Sequence, residues 1–365
     1  MAKLMHLGAV SLDGVRNLNS ISLECHPKAN IIYGANGSGK TSLLEAVFLL
    51  GRGRSFRHRD LRLVISRGAD RLVVSGKVAA TDTDSLRQLG VSRSSKGGFE
   101  ARCNGKNLSS AAELAAELPI QLIDAHSFSL LEGGPLQRRQ FIDWGLFHVE
   151  HGFANLWKRF QKALKQRNQL LRHARIDEES LELWSKELAP LNEMITEQRK
   201  DYLIQLEQFI SPLVEAFDGL SDVALEYNQG WREGASLLDV FSADRERDLA
   251  VGTTSHGAQR ADIKLLVDGE PAADRLSRGQ SKLLVYALKL AQAAHYKEVT
   301  GNSCVFLLDD LPAELDADNC RDVLDYLNSL GCQYFVTGVD KEDFEGIAKE
   351  DANLFHVEHG VISNV

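Results

Sequence analysis

The octapeptide Gly34-Ala35-Asn36-Gly37-Ser38-Gly39-Lys40-Thr41 has the residue types and spacing of a phosphate cradle, G-x-x-x-x-G-K-T. Its glycines let the backbone wrap closely enough for N–H groups to face phosphate oxygens, and the positive end of a following helix favours the same negative charge. Lys40 is placed to reach the β- and γ-phosphates of ATP, and Thr41 to set its hydroxyl on Mg²⁺. Such a metal needs a carboxylate, and Val305-Phe306-Leu307-Leu308-Asp309-Asp310 is an apolar run ending in two. Asp309 is read as the metal-side residue. Asp310 either orients the water that attacks the γ-phosphate or caps the turn that follows.

A third element, Leu276-Ser277-Arg278-Gly279-Gln280, opens the amphipathic stretch Lys282 to Glu298, about one helix upstream of Asp309. Ser277 and Gln280 form an S-x-x-Q capping box, and a helix start bearing Ser and Gly is also an anion site. The order of the three elements resembles that of ABC ATPases, whose signature sequence faces the γ-phosphate held by the other subunit. That resemblance implies that Ser277, Gly279 and Gln280 approach the ATP of a second copy. It also puts Asp310 where those ATPases usually carry a Glu; one methylene shorter, it implies slow hydrolysis. Leu315-Asp316 fits the D-loop, and Val336-Thr337-Gly338 stands where many transporters carry a switch histidine.

These residues must be positioned by an α/β framework. A strand ending at Ile31-Ile32-Tyr33, a helix from Thr41 to Leu50 and strand candidates Leu72-Val73-Val74, Cys304 to Leu308 and Tyr334 to Thr337 imply a parallel sheet assembled from both chain ends. Between the ends, Phe153, Leu156, Phe160, Leu164 and Leu171 recur at helical spacing. The expected division is 1–125 and 245–365 as two parts of an ATPase head, with 126–244 as an inserted helical lobe. Residues 81–110 read as hairpins and loops.

Beyond the generic ATPase motifs, several blocks resemble the RecF family. They are Gly53-Arg54-Ser55-Phe56-Arg57 after the cradle helix, Gly133 to Trp144 against G-x-P-x-x-R-R-x-F-L-D, and Leu164-Lys165-Gln166-Arg167-Asn168-Gln169-Leu170-Leu171. Ser277-Arg278-Gly279-Gln280 and Leu308 to Asp316 complete the set. Gly257-Ala258-Gln259-Arg260-Ala261-Asp262 departs from the family's G-P-H-R-x-D, and Val15-Arg16-Asn17-Leu18 from F-R-N-Y. By resemblance to SMC-like ATPases, Arg16 either touches nucleotide phosphate or is a plain surface arginine. The resemblance implies an ABC-type P-loop ATPase head, with a helical lobe in place of the SMC coiled coil. It further implies an ATP-dependent homodimer on DNA, single-stranded, duplex, gapped or junction. Such a protein acts with RecR and RecO to load RecA at gaps, in recombinational repair, replication restart and the SOS response.

The 365 residues carry a net charge of −9, so any nucleic-acid surface must be local. Two regions qualify. Residues 52–62 hold Arg52, Arg54, Arg57, Arg59, Arg62 and His58 against Asp60 alone; residues 151–176 hold Lys158, Arg159, Lys162, Lys165, Arg167, Arg172 and Arg175 and no acid. Each is a phosphate-binding surface or a solvated basic face. The five cysteines share no CxxC spacing, which favours reduced thiols over a disulfide frame or a zinc site. No apolar run approaches a membrane span and no secretory leader opens the chain, so no membrane partner and a cytoplasmic location are expected. Two other functions fit the motifs: an SMC-like clamp closed by ATP without turnover, and the ATPase of a transporter. The missing switch histidine and Arg278 weigh against the latter.

Overall fold

Two apolar strands from opposite ends of the chain, Ala29–Tyr33 and Gln333–Gly338, pair in parallel, with Tyr334 opposite Ala29 and Gly338 opposite Tyr33. The computed structural model describes residues 5–79, 86–173, 177–217, 219–346 and 351–365. They form two compact units, Met1–Ser127 with Lys282–Val365, and Phe128–Ser281.

In the first unit that strand pair lies inside a six-stranded sheet, in the order 361–364, 352–358, 29–33, 333–338, 305–308, 120–123. All neighbours run parallel except the first pair. Val305–Leu308 and Gln333–Gly338 are buried throughout, which is why they read as continuous runs rather than alternating ones. A second, antiparallel sheet contains His6–Asp13, Ile21–Glu24, Arg71–Ala79, Leu86–Ser94, Phe99–Cys103 and Lys106–Asn107. The hairpins expected over 81–110 are therefore mostly strands of this sheet; residues 81–85 lie outside the described ones.

The helix Lys40–Arg52 buries every residue from Ser42 to Gly51, and one core cluster joins its Leu43, Val47 and Leu50 to Leu7 and Val74 of the antiparallel sheet and Leu307 of the parallel one. Gln333, fully buried, ties the two sheets together. Its Oε1 accepts from the Leu7 N–H at 2.8 Å, and its Nε2 donates to the carbonyls of Leu7 and His26, each at 2.8 Å. Leu7 adjoins the register break between Leu7 and Ala9, where ladder pairing is interrupted. Gln333→Leu is expected to destabilise the fold by about 1–3 kcal/mol through these orphaned groups. Urea denaturation measures it, and a loss within a few tenths of that of a surface substitution would contradict the account.

The second unit is built on the helix Glu178–Ala216, about 58 Å long at 1.5 Å per residue, beside Phe153–Leu170 and Pro135–Val149. Phe153, Phe160 and Leu171 are buried as their spacing implies, whereas Leu156 and Leu164 are only half-buried. A three-stranded sheet completes the unit, with Asp262–Val267 between Val223–Asn228 and Glu270–Pro271. This differs from the division expected at residue 244: the pairing of 223–228 with 262–267 carries residues 245–281 into the middle unit.

The family-like blocks of this unit are structural. Arg138 holds Asp262 at 2.7 and 3.0 Å, and Arg139 donates to the Ala261 carbonyl at 2.6 Å. Buried Arg199 grips Asp143 at 2.9 Å through both oxygens and reaches the Ala258 carbonyl at 2.8 Å. Within the departing turn, Gln259 folds its amide back onto the His256 carbonyl at 2.7 Å.

Candidate nucleotide site

The cradle follows the strand Ala29–Tyr33 and turns directly into the helix Lys40–Arg52. Gly34 has φ 149°, and a Cβ there would lie 2.2 Å from the Val357 carbonyl oxygen; Gly39 has φ 126°, and its Cβ would meet Leu18 at 2.6 Å. Only glycine fits either place. The loop is also clamped from outside. Asn17 Nδ2 donates to the carbonyls of Gly37 and Ser38, each at 3.2 Å, while its Oδ1 accepts from Ser42 at 3.0 Å. Gly360, in the turn between the last two strands, donates to the Ser38 carbonyl at 3.0 Å.

Lys40 is 7% exposed, and its ammonium lies across the loop, 2.6 Å from the Gly34 carbonyl and 3.2 Å from that of Ala35. Thr41 Oγ1 donates to Asp309 Oδ1 at 3.1 Å, joining the cradle to the end of the strand Val305–Leu308. Thr337 donates to the same Asp309 oxygen at 2.9 Å and accepts the Asp310 N–H at 2.7 Å. Burial raises the Asp309 pKa above the usual carboxylate value; hydrogen bonds from Thr337 and Thr41 oppose the rise, and Asp124 and Asp310 add to it. Asp310 adopts the left-handed conformation, φ 58°, which is costly for a non-glycine residue.

These groups surround a cavity of about 560 Å³, whose wall includes Asn36, Gly37, Gly39, Lys40, Thr41, Asp309, Asp310 and Thr337. Arg16 and Arg57 line it too. Arg16 pairs with fully buried Glu45 at 2.7 and 2.9 Å and donates to the Leu63 carbonyl at 2.8 Å, which settles it as a cavity residue rather than a free surface arginine. Glu45 also accepts from Ser55, whose oxygen takes the Arg57 N–H at 3.0 Å. Arg57, grouped by sequence with a DNA-facing cluster, thus stands at the nucleotide cavity. Sequence reading missed Asn17, Glu45 and Ser55 as supports and gave Thr337 no positive role; an Asn beside Arg16 and an acid in a buried helix were the available signals.

The donor set suits Mg²⁺, a hard cation that takes oxygen ligands: Thr41 and Asp309 set a hydroxyl and a carboxylate side by side and would hold it. Removing the raised charge should separate stability from binding. Because the folded pKa of Asp309 lies above its unfolded value, the ionised form weakens the fold at pH above that folded pKa, and this cost declines as pH falls from the folded pKa to the unfolded one. Asp309→Asn is therefore expected to melt no lower than wild type without nucleotide, yet to lose all Mg²⁺-dependent gain in ATP affinity. A melting scan with ATP, with and without Mg²⁺, reads both; a retained Mg²⁺ effect would contradict the ligand assignment.

Ser277, Gly279 and Gln280 belong to the second unit. There the capping box forms: Ser277 N–H donates to Gln280 Oε1 at 2.9 Å, and Gln280 N–H to Ser277 Oγ at 3.3 Å. Gln280 Nε2 reaches the Gly219 carbonyl at 2.5 Å, and a Cβ on Gly279 would meet open space. Ser277 and Gly279 are exposed. Asp316, in the expected D-loop, caps the helix Ala317–Leu330.

The family model described as RecF/RecN/SMC N terminal domain matches residues 6–363. The DNA replication and repair protein RecF of Stutzerimonas stutzeri (strain A1501) is 45% identical over 363 residues, covering 99% of this chain and 98% of that protein. The chain belongs to the RecF family. RecF of Pseudomonas syringae pv. syringae (strain B728a) is 46% identical over 365 residues, covering 98% of each. Among solved structures, the recombination mediator protein RecF with ATP, of the RecFOR pathway, superposes with TM-score 0.90 at 26% identity, covering 100% of this chain and 99% of that one. An Smc head domain derived from Pyrococcus furiosus reaches TM-score 0.59 at 18% identity, covering 99% of this chain and 96% of that one, a likeness of fold. The RecF assignment agrees with the α/β head built from both chain ends, and it displaces the transporter reading. Among the described residues no helix is long and apolar enough to cross a membrane.

Proposed function

We propose that this RecF-family chain is an ATP-dependent DNA-binding protein of recombinational repair, in which ATP binding closes a homodimer and slow hydrolysis reopens it. The observation that carries the reading is the 3.1 Å bond between Thr41 and Asp309 inside the cavity that Lys40 lines. Lys40 would neutralise the β- and γ-phosphates, and Thr41 with Asp309 would hold Mg²⁺, which supplies charge neutralisation across those phosphates. Asp310 would hold the attacking water. Its short side chain supports a turnover well below the roughly 10 s⁻¹ typical of enzymes. Ser277, Gly279 and Gln280 would cap the γ-phosphate of the other subunit. The full-length likeness to RecF proteins of the RecFOR pathway supports a role with RecR and RecO in delivering RecA to gapped DNA in the cytoplasm.

For DNA contact the structure favours fewer residues than charge counting does. Arg167 is 1% exposed and bound to Asp248 and Thr254 at 2.7 Å each, Arg159 pairs with Glu187 at 2.8 Å, and Arg172 donates to the Gly252 carbonyl at 3.0 Å. Arg175 lies outside the described residues. Lys158, Lys162 and Lys165 are exposed, as are Arg54 and Arg59, whereas Arg62 is turned to Asp60 at 2.6 Å. Replacing Arg54 and Arg59 with Ala should weaken binding to single-stranded, duplex and gapped DNA alike, and flatten the salt dependence by about 0.9 log units per lost phosphate contact. Fluorescence anisotropy across a salt series measures this; an unchanged slope would make that cluster a solvated face.

A further inference from the structure

Glu45 sets a fully buried carboxylate in the middle of the cradle helix, and two side chains converge on it. Arg16 holds both oxygens, with Nε 2.7 Å from Oε2 and Nη2 2.9 Å from Oε1, and Ser55 Oγ donates to Oε1. A buried charge needs such partners. These two, however, also anchor the basic segment that follows the helix. At its start Ser55 Oγ accepts the N–H groups of Arg57 at 3.0 Å and His58 at 2.9 Å. At its end Arg16 Nη1 donates to the Leu63 carbonyl and the Arg16 N–H to the Val64 carbonyl, each at 2.8 Å, and Val15 bridges to Ile65. Exposed Arg59 thus sits on a loop whose two ends both lead to one buried ion pair.

The same pair opens onto the nucleotide cavity. Arg16 and Arg57 both line it, and Arg16 is held at φ 54°, a left-handed conformation that non-glycine residues adopt at a cost. Strain of this kind persists only where the surroundings over-determine it. Four hydrogen bonds of Arg16 do so here.

We propose that Glu45 is a positioning residue that couples the nucleotide cavity to the segment 56–64, fixing Arg16 directly and Arg57 through Ser55, so that bound ATP orders the whole segment. The proposal rests on the cavity being the ATP site. Phosphate is a stronger partner for a guanidinium than a backbone carbonyl is, so its arrival changes the balance of bonds at Arg16. Glu45 ties that response to Arg57. Both ends of the segment then answer to one ligand, and nucleotide occupancy sets the basic surface offered to DNA.

Hydrogen exchange read by mass spectrometry on the full chain, with and without saturating ATP and Mg²⁺, tests this. In the wild type ATP should slow exchange in the cradle, residues 34–41, and by about fivefold or more over 56–64. Ser55→Ala cuts one arm: the ATP effect should vanish over 56–58 and persist over 61–64 and in the cradle. Glu45→Gln removes the charge at nearly constant shape, and should abolish the ATP effect over all of 56–64 while the cradle stays protected. The change made by ATP is the readout, because a merely structural role would raise exchange equally with and without nucleotide. Melting curves confirm that each variant is folded; should Glu45→Gln not fold, Ser55→Ala decides alone. An unprotected cradle in the wild type would sink the nucleotide site itself. A protected cradle with 56–64 indifferent to ATP, or the wild-type pattern retained in the folded variants, would overturn the coupling and leave the site standing.

Discussion

Lys40→Met is expected to lower ATP affinity by at least about a hundredfold, because it deletes charge-assisted hydrogen bonds worth roughly 1.5–3 kcal/mol each toward two phosphates. The fold should survive. The ammonium donates to the Gly34 and Ala35 carbonyls, so its loss leaves those acceptors short by about 1–3 kcal/mol. Isothermal titration with ATP, alongside a melting curve, separates the two. If the affinity is unchanged in a folded variant, the cavity is not the ATP site.

Ser277→Arg carries the second large effect, and it discriminates the two readings of that serine. As a helix cap, Ser277 contributes about 1 kcal/mol through its bond to the Gln280 N–H, and nothing more should change when it is lost. As the element facing a second copy's γ-phosphate, it must be small, and an arginine there should block ATP-induced dimerisation outright. The variant is expected to bind ATP as a monomer with near wild-type affinity, because the residues lining the cavity all lie in the other unit. Its ATPase activity and its ATP-stimulated DNA binding should both fall to background. A variant that is slightly less stable but fully active would leave Ser277 a cap and no more.

What the sequence made legible was local. The cradle and the twin-aspartate strand can be read from contiguous residues because their chemistry needs fixed types at fixed spacing. The supports could not be read that way. Gln333 reaches Leu7 across 326 positions, Thr41 reaches Asp309 across 268, and the carboxylate of Glu45, on a helix, is paired by Arg16 from the turn after the strand His6–Asp13. Counting charge along the chain placed Arg167 among DNA candidates; its partner Asp248 comes 81 positions later and takes it into the core. The boundary drawn at 244 differs from the compact units for a similar reason, since the strand partner of Val223–Asn228 does not arrive until Asp262. Blocks that resemble the family in the middle unit proved to be buried ion pairs, whose worth lies in holding Asp143, Arg199 and the 257–262 turn in register. Breaking one partner of such a pair costs far more than the pair itself contributes.

The central claim is that nucleotide state controls assembly, through a γ-phosphate shared between two copies of the chain. Sedimentation velocity on the wild type, run without nucleotide, with ADP and Mg²⁺, and with ATP and Mg²⁺, tests it most directly. The account predicts monomer in the first two conditions and a shift to dimer in the third, lost in Ser277→Arg and in Lys40→Met. The same distribution in all three conditions, whether monomer or dimer, would contradict it.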